Sequence, residues 1–281
     1  MHEPTFDADR LGDIDIARVE TARYRLPLTG PWHSAHGARQ QREGWLLRLT
    51  SRTGATGLGE CAPLPEAGTE SLAVAAATWR TLLPRLVGRR ADTVLATLQR
   101  LAATPAVRCA LEAAVLDLAA ATAGRPLAHC LNPATATVVR VNAALGGLDA
   151  GVPKRAVRAV AEGYRVLKLK LGLSPLGTEI AALRELSSRL PDRVVLRLDA
   201  NRAWDDATAV QAVEALAGLP VEALEEPLRV PHPTALRQLQ DRAPWPLALD
   251  ESLSRWDLEP LLKDPPVRRI VLKPMVTGGP L

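Results

Sequence analysis

The stretch VLKLKLG, residues 166–172, sets Lys168 and Lys170 in an otherwise apolar run. Lysine alternating with leucine is the period-two pattern of a β-strand. Residues two apart on a strand share a face, so two ammonium groups stand side by side near the strand's end. Taken alone, such a pair is most often a solvated strand face. What lies at the ends of the strands that follow decides its meaning.

Further candidate strands are 138–143 (VVRVNA), 194–199 (VVLRLD), 221–226, 247–250 and 270–273 (IVLK). Helical segments such as 176–190 and 205–217 lie between them, the second with Asp205 as a candidate cap and Gly218 near its end. Alternating strand and helix argues for βα units around a parallel sheet. Lys170, Asp199, Glu225, Asp250 and Lys273 then succeed one another at intervals of 29, 26, 25 and 23 residues, about one βα unit each. All five fall at the C-terminal ends of successive strands. In a (β/α) barrel those ends converge on one mouth, where the active site is built.

Upstream the pattern differs. Residues 14–28 and 43–50 read as strands and SRTGATGLGE (51–60) as a turn and short strand, with loops at 29–42 and 57–68, and Ala- and Leu-rich helical segments follow. The clearest helix begins at Pro105, with Thr104 placed to cap it and Gly124 to end it. Val107, Leu111, Val115 and Leu118 form its apolar stripe. LNPATAT, residues 131–137, reads as a linker. The expected fold class is therefore α/β, with an N-terminal α+β domain over residues 1–130 and a (β/α) barrel domain over 131–281.

Composition narrows the function classes. Of 281 residues 47% are hydrophobic but only 3% aromatic, so the core must rest on Leu, Val and Ala. The net charge is +4, yet the basic residues are scattered among acids and form no run interleaved with aromatics, which argues against a nucleic-acid partner. Cys61, Cys109 and Cys130 are widely spaced and include no CxxC pair, the usage of a reducing compartment. The polar start MHEPTFDADRLGD is unlike a signal peptide, and no apolar run reaches the length of a membrane span. A cytoplasmic protein acting on a small molecule is expected, with oligomeric state left open.

The chemistry follows from the residue types. Asp199, Glu225 and Asp250 brought together repel one another, and a divalent cation resolves the repulsion; all-oxygen ligation suits Mg²⁺, with Mn²⁺ as a substitute. Lys170 and Lys273 would flank that cation. An amine beside a cation and partly withdrawn from water is a usable base. The set suits removal of a proton next to a carboxylate, with the metal stabilising the enediolate and the second lysine adding charge or returning a proton. Arg197, two residues before Asp199, points into the barrel, either in an ion pair with an acid or as a group tuning Lys170. Asn201, two after, supports the metal ligands from behind.

KLKLG, RLDANRAW, LEEPL, ALDESL and VLKPMVTGG together resemble the successive barrel motifs of the enolase superfamily. RLDANRAW with LEEP and DESL is most similar to the o-succinylbenzoate synthase family of menaquinone biosynthesis, and GLGECAPLP (57–65) resembles that family's second lid loop. The resemblance implies that Lys170 is the acid/base, Lys168 its auxiliary neighbour and Lys273 the opposite-face lysine. It implies Mg²⁺ on Asp199, Glu225 and Asp250, with Glu225 rather than Glu226 because the family's ligand lies two before the proline, here Pro227. The implied reaction is loss of water from 2-succinyl-6-hydroxy-2,4-cyclohexadiene-1-carboxylate, a small carboxylate, to give 2-succinylbenzoate. The N-terminal domain would act as a lid through loops 29–42 and 57–68; His33 and His36 in the first are read as surface residues.

The family barrel carries further strands after the lysine–proline motif, bearing Ser and Glu. Here six candidate strands begin at residue 138 and the sequence ends at Leu281, so the barrel is expected to be truncated at its C-terminus. Dipeptide epimerases, N-succinylamino acid racemases and muconate cycloisomerases share the same lysines and acids and are alternative readings, as is an inactive truncated relative.

Overall fold

Contacts within the computed structural model, which describes residues 11–34 and 37–280, group the chain into two units. One comprises residues 1–138 with Lys273–Leu281, the other Val139–Leu272. The division falls at 138/139, where the sequence reading places a boundary after 130, and the last nine residues group with the first unit.

The first unit is an antiparallel sheet of β1 (Ile16–Ser34), β2 (Gly37–Ser51) and β3 (Thr56–Cys61). Its helices are α1 (Leu72–Leu82), α2 (Ala91–Ala96), α3 (Pro105–Thr122) and α4 (Leu127–Leu131). The expected loop at 29–42 is instead hairpin: β1 and β2 pair through Ser34 and Gly37, across a register shift between Pro27 and Trp32. The polar sequence there has no apolar alternation to read, and cross-strand pairing makes it strand. His36 lies outside the described residues, as does the side chain of His33.

The short strand read within 51–60 is β3, which runs to Cys61, into the stretch read as loop from 57. Every second residue of β3 is buried, and two of those are glycines. An ideal Cβ on Gly59 would stand 1.9 Å from the Ala110 carbonyl oxygen, and one on Gly57 2.2 Å from that of Ala114. Here α3 lies directly on the strand, and a side chain would hold it off. The helix buries Val107, Leu111, Val115 and Leu118, the predicted stripe, among Leu47, Leu49, Cys61 and Trp79.

The expected cap at Thr104 makes no side-chain capping bond. The buried Glu70 carboxylate does the work, accepting the N–H groups of Ala106 (3.0 Å) and Val107 (2.9 Å). A negative group at a helix N-terminus satisfies orphan donors and opposes the dipole.

The second unit alternates β4 (Ala143–Gly147), α5 (Val152–Ala161), β5 (Val166–Lys170), α6 (Leu176–Ser187), β6 (Val195–Asp199), α7 (Asp206–Leu216), β7 (Val221–Glu225), α8 (Pro233–Arg242), β8 (Leu247–Leu249), α9 (Leu258–Lys263) and β9 (Arg269–Ile270). The strands form one parallel sheet in sequence order, with β4 and β9 at its edges. Leu167, Leu169, Leu196, Leu198, Leu224 and Leu247 are fully buried in its core. Asp205 caps α7 as expected, accepting the Thr208 N–H at 2.8 Å.

Two strands are displaced from their predicted positions. The expected strand 138–143 starts only at Ala143; Val138, Val139 and Val141 are exposed and lie beyond the residues that pair with β5. The expected strand 270–273 ends at Ile270, and Lys273 instead opens the short helix α10 (Pro274–Thr277). Pro274 has no N–H for a ladder and suits a first helical turn. After α10, Gly278 (φ 95°) and Gly279 (φ 150°) press on α3: an ideal Cβ on Gly279 would lie 2.2 Å from Glu112 Oε1, and one on Gly278 2.9 Å from Arg108 Cδ. No helix among the described residues is long and apolar enough to cross a membrane.

All three thiols are free. Burial, with help from Glu70, pushes the Cys61 thiol from 9.0 up to about 12, and burial with Glu112 pushes Cys109 up to about 11. Two buried and one half-buried thiol should separate kinetically: at pH 8 one thiol, Cys130, reacts readily with a thiol reagent, and all three react in denaturant. A raised folded-state pKa contributes stability below the unfolded value that is lost as pH climbs through the folded one. The melting temperature should therefore fall between pH 9.0 and about 12, less steeply in Cys61→Ala.

Candidate active site

Parallel pairing in register places the strand-end residues in rows. Lys170 is opposite Asp199 on β6, and Asp199 opposite Glu225 on β7. One layer deeper, Lys168 is opposite Arg197 and Arg197 opposite Ala223. Neighbouring parallel strands lie about 4.8 Å apart, so Lys170, Asp199 and Glu225 are immediate neighbours. Glu225 pairs with Ala248 on β8, which puts Asp250 one further step along the same side.

Lys168 reaches up from the deeper layer. Its Nζ stands 3.1 Å from Asp199 Oδ2 and forms an ion pair with Glu225 Oε2. Burial works to lower its pKa, but Asp199 and Glu225 outweigh that and raise it, so the amine stays cationic. For Glu225, burial pushes the carboxyl up, with Asp199 and Asp250 adding to the push against the pull of Lys168. Lys170, half-buried, makes no ion pair among the described residues. The two lysines of VLKLKLG thus differ: one is the counter-ion of the acids, the other has no carboxylate partner among the described residues.

Arg197 is in an ion pair, the first of the two roles open to it. Its Nε lies 2.9 Å from Glu222 Oε2, its Nη1 3.2 Å from Asn142 Oδ1, and Arg269 joins the same acid at 2.7 Å. Glu222 is the extra residue where the β6–β7 register shifts between Leu196 and Arg197; a bulge re-aims a side chain in this way. Burial would raise the Glu222 carboxyl, but the bonds from Arg197 and Arg269 prevail and lower it. Sequence periodicity does not reveal Glu222, because a bulge breaks it.

Behind the row, the connecting loops are held by acids. Glu179 of α6 accepts the N–H groups of Gly172 (2.9 Å), Leu173 (2.9 Å) and Ser174 (3.1 Å), setting the loop after Lys170. Asn201 donates its backbone N–H to Asp199 Oδ1 (3.0 Å) and its Nδ2 N–H to Glu251 Oε1 (2.7 Å). Glu226, adjacent to Glu225, is turned toward residues 250–252. Asn201, Arg202 and Glu226 have φ of 43°, 63° and 42°. Left-handed backbone at non-glycine positions persists only where surrounding contacts enforce it, and it clusters at functional sites.

The donor set can be tested for a cation. Asp199 and Glu225 are buried oxygen donors, and Asp250 contributes to the potential at Glu225. One ammonium set against three carboxylates leaves excess negative charge, which a dication matches. Among the described residues no three His, Cys, Asp or Glu side chains stand in a closed ligand arrangement; Lys168 sits between the two nearest acids. The residue types and charge balance fit Mg²⁺, with Asp199, Glu225 and Asp250 as the residues that would hold it. Lys273, at the start of α10, belongs by its contacts to the first unit.

Residues 151–281 match a family model described as enolase C-terminal domain-like, and residues 16–118 match one described as MenC, N-terminal domain. The chain is 30% identical to L-Ala-D/L-Glu epimerase of Bacillus subtilis over 85% of this chain and 68% of the relative. A substrate-liganded structure of the Bacillus subtilis epimerase superposes with TM-score 0.81 at 28% identity, over 94% of this chain and 76% of that one. It is 32% identical to o-succinylbenzoate synthase of Thermosynechococcus vestitus over 82% of this chain and 67% of the relative. A crystal structure of o-succinylbenzoate synthase from Thermosynechococcus elongatus, with magnesium in its active site, has TM-score 0.72 at 27% identity, covering 92% of this chain and 77% of that one. Muconate cycloisomerase 1 of Pseudomonas putida is 27% identical over 94% of this chain and 74% of its own length. The chain belongs to the enolase superfamily.

Removing one partner of a buried ionic cluster costs more than the pair contributes, about 3 kcal/mol. Lys168→Met should lower unfolding free energy by about that amount at neutral pH, measured by urea titration. Addition of Mg²⁺ should recover part of the loss; an unchanged midpoint would show that Lys168 is not the counter-ion of these acids.

Proposed function

We propose that the protein is a Mg²⁺-dependent lyase of the o-succinylbenzoate synthase type. It removes water from 2-succinyl-6-hydroxy-2,4-cyclohexadiene-1-carboxylate to give 2-succinylbenzoate. The observation that carries the general chemistry is the contrast between Lys168, committed to Asp199 and Glu225, and Lys170, beside the same acids in register yet without a carboxylate partner among the described residues. The match of residues 16–118 to the MenC N-terminal model supports this substrate over its alternatives.

In this reading Lys170 Nζ takes the proton from the carbon bearing the substrate carboxylate. The bond from the ring to its hydroxyl then breaks, the hydroxyl takes the proton Lys170 has just accepted and leaves as water, and the ring becomes aromatic. A bound Mg²⁺ would supply positive charge against the substrate carboxylate as electron density builds there. Lys168 stays protonated below the row and keeps Asp199 and Glu225 in place. By resemblance to the family, Lys273 adds a second ammonium against the developing charge. A cytoplasmic location accords with three free cysteines.

Dipeptide epimerisation is a second reading, favoured by the higher TM-score of 0.81 to the Bacillus epimerase. It uses the same proton abstraction and ends by returning a proton instead of losing water. A panel of the cyclohexadiene carboxylate, L,L-dipeptides and muconate separates the readings. The expected result is aromatic product from the first alone, abolished by EDTA and restored by Mg²⁺. Lys170→Ala should lose at least about 100-fold in kcat, the lower end for general base catalysis. Epimerised dipeptide without aromatic product would transfer the assignment to the second reading, and full turnover in EDTA would remove the metal.

A further inference from the structure

Glu226 is 1% exposed, and every side-chain bond it makes runs to one short segment after β8. Its Oε1 accepts the N–H of Asp250 at 2.7 Å and that of Ser252 at 2.9 Å, and its Oε2 accepts the Ser252 hydroxyl at 2.6 Å. All three partners donate, so the ionised carboxylate is the form they fit. The backbone of Glu226 is equally committed. With φ 42° its N–H donates to the Ala248 carbonyl at 2.9 Å, while its own carbonyl accepts the Arg202 N–H at 2.7 Å. Asp250 in turn has φ −129° and ψ −86°, outside the helical and extended regions.

We propose that Glu226 is a positioning residue that builds the third arm of the cation site by fixing Asp250. The adjacent acids divide the work: Glu225 turns to the row with Lys168 and Asp199, and Glu226 turns to the 250–252 segment behind it. Asn201, in the turn after β6, braces the same segment through Glu251. The loops after β6, β7 and β8 thus meet at Glu226, whose carbonyl takes the Arg202 N–H after β6 and whose carboxylate takes the 250–252 donors after β8. Ser252, fully buried, is the matching donor. The inference rests on the assignment of Asp250 as a Mg²⁺ ligand, but the brace itself can be read without that assignment.

The test uses the full chain with Glu226→Gln, which keeps shape and removes the charge, and Ser252→Ala, which removes one donor. Mg²⁺ binding is measured by calorimetry and with Mn²⁺ by electron paramagnetic resonance, with Asp199→Asn as the control for the cation site. Amide exchange of residues 249–253 is followed without added metal. Supporting residues around a metal typically contribute 10–100-fold in affinity. The expected result for Glu226→Gln is roughly that loss, with a melting temperature close to the parent, faster exchange confined to 249–253, and a smaller change in Ser252→Ala. Unchanged Mg²⁺ affinity in Glu226→Gln, or unchanged exchange at 249–253, overturns the proposal. If the parent chain fails to bind Mg²⁺, the cation reading falls by itself. The exchange measurement still decides whether Glu226 holds the segment.

Discussion

Strand register is the constraint from which the site follows. Lys170, Asp199 and Glu225 are one row because β5, β6 and β7 pair at those residues. A slip of one residue in a strand would send its charged side chain to the helix-covered side and its leucine to the site. Leu167, Leu169, Leu196, Leu198 and Leu224 prevent this, since each is fully buried on the side where the helices pack. The core and the chemistry are thus two faces of the same alternation. Hydrophobic burial at about 25 cal/mol per Å² holds the charged row in place.

Buried acids do a second kind of work, outside any reaction. Glu70 takes two amides at the start of α3, Glu179 three amides after β5, and Glu226 two amides and a hydroxyl after β8. Each carboxylate is nearly dry and is satisfied by donors with no permanent charge. Such bonds are stronger than neutral ones and directional, which suits loops that must be shaped rather than merely covered. Glu179 sits on α6, whereas Glu226 directly follows β7 and Glu70 lies two residues ahead of α1. Of these segments, the one Glu179 shapes follows Lys170 and the one Glu226 shapes contains Asp250.

Much of this is legible in the sequence because it depends on period and spacing. VLKLK and VLRLD announce their strands by alternation, and the intervals from Lys170 to Lys273 announce the repeated unit. What escapes depends on contacts between distant segments or on interrupted period. The short strand read within 51–60 is there, but that Gly57 and Gly59 let α3 lie directly on it is not legible, because their buried face has no side chain to show. The extended hairpin around Ser34 and Gly37 is polar, so only pairing reveals it. Glu222 enters through a bulge. Thr104 looks like the cap of α3, while the cap comes from Glu70, far away in sequence. Glu226 reads as a spare beside Glu225, because only the fold brings residues 250–252 to it.

The press of Gly278 and Gly279 on Arg108 and Glu112 bears on how this chain could be recombined with its relatives. Residues 273–281 are covalently the tail of the strand–helix series, yet their packing partners lie in α3 of the first unit. A crossover that exchanged residues 16–138 alone would set a foreign helix surface against this double-glycine turn and the lysine just ahead of it. The natural module for exchange is discontinuous, pairing the first segment with the last nine residues. Natural drift at Arg108 or Glu112 would be constrained in the same way, as one half of a fit whose other half is glycine.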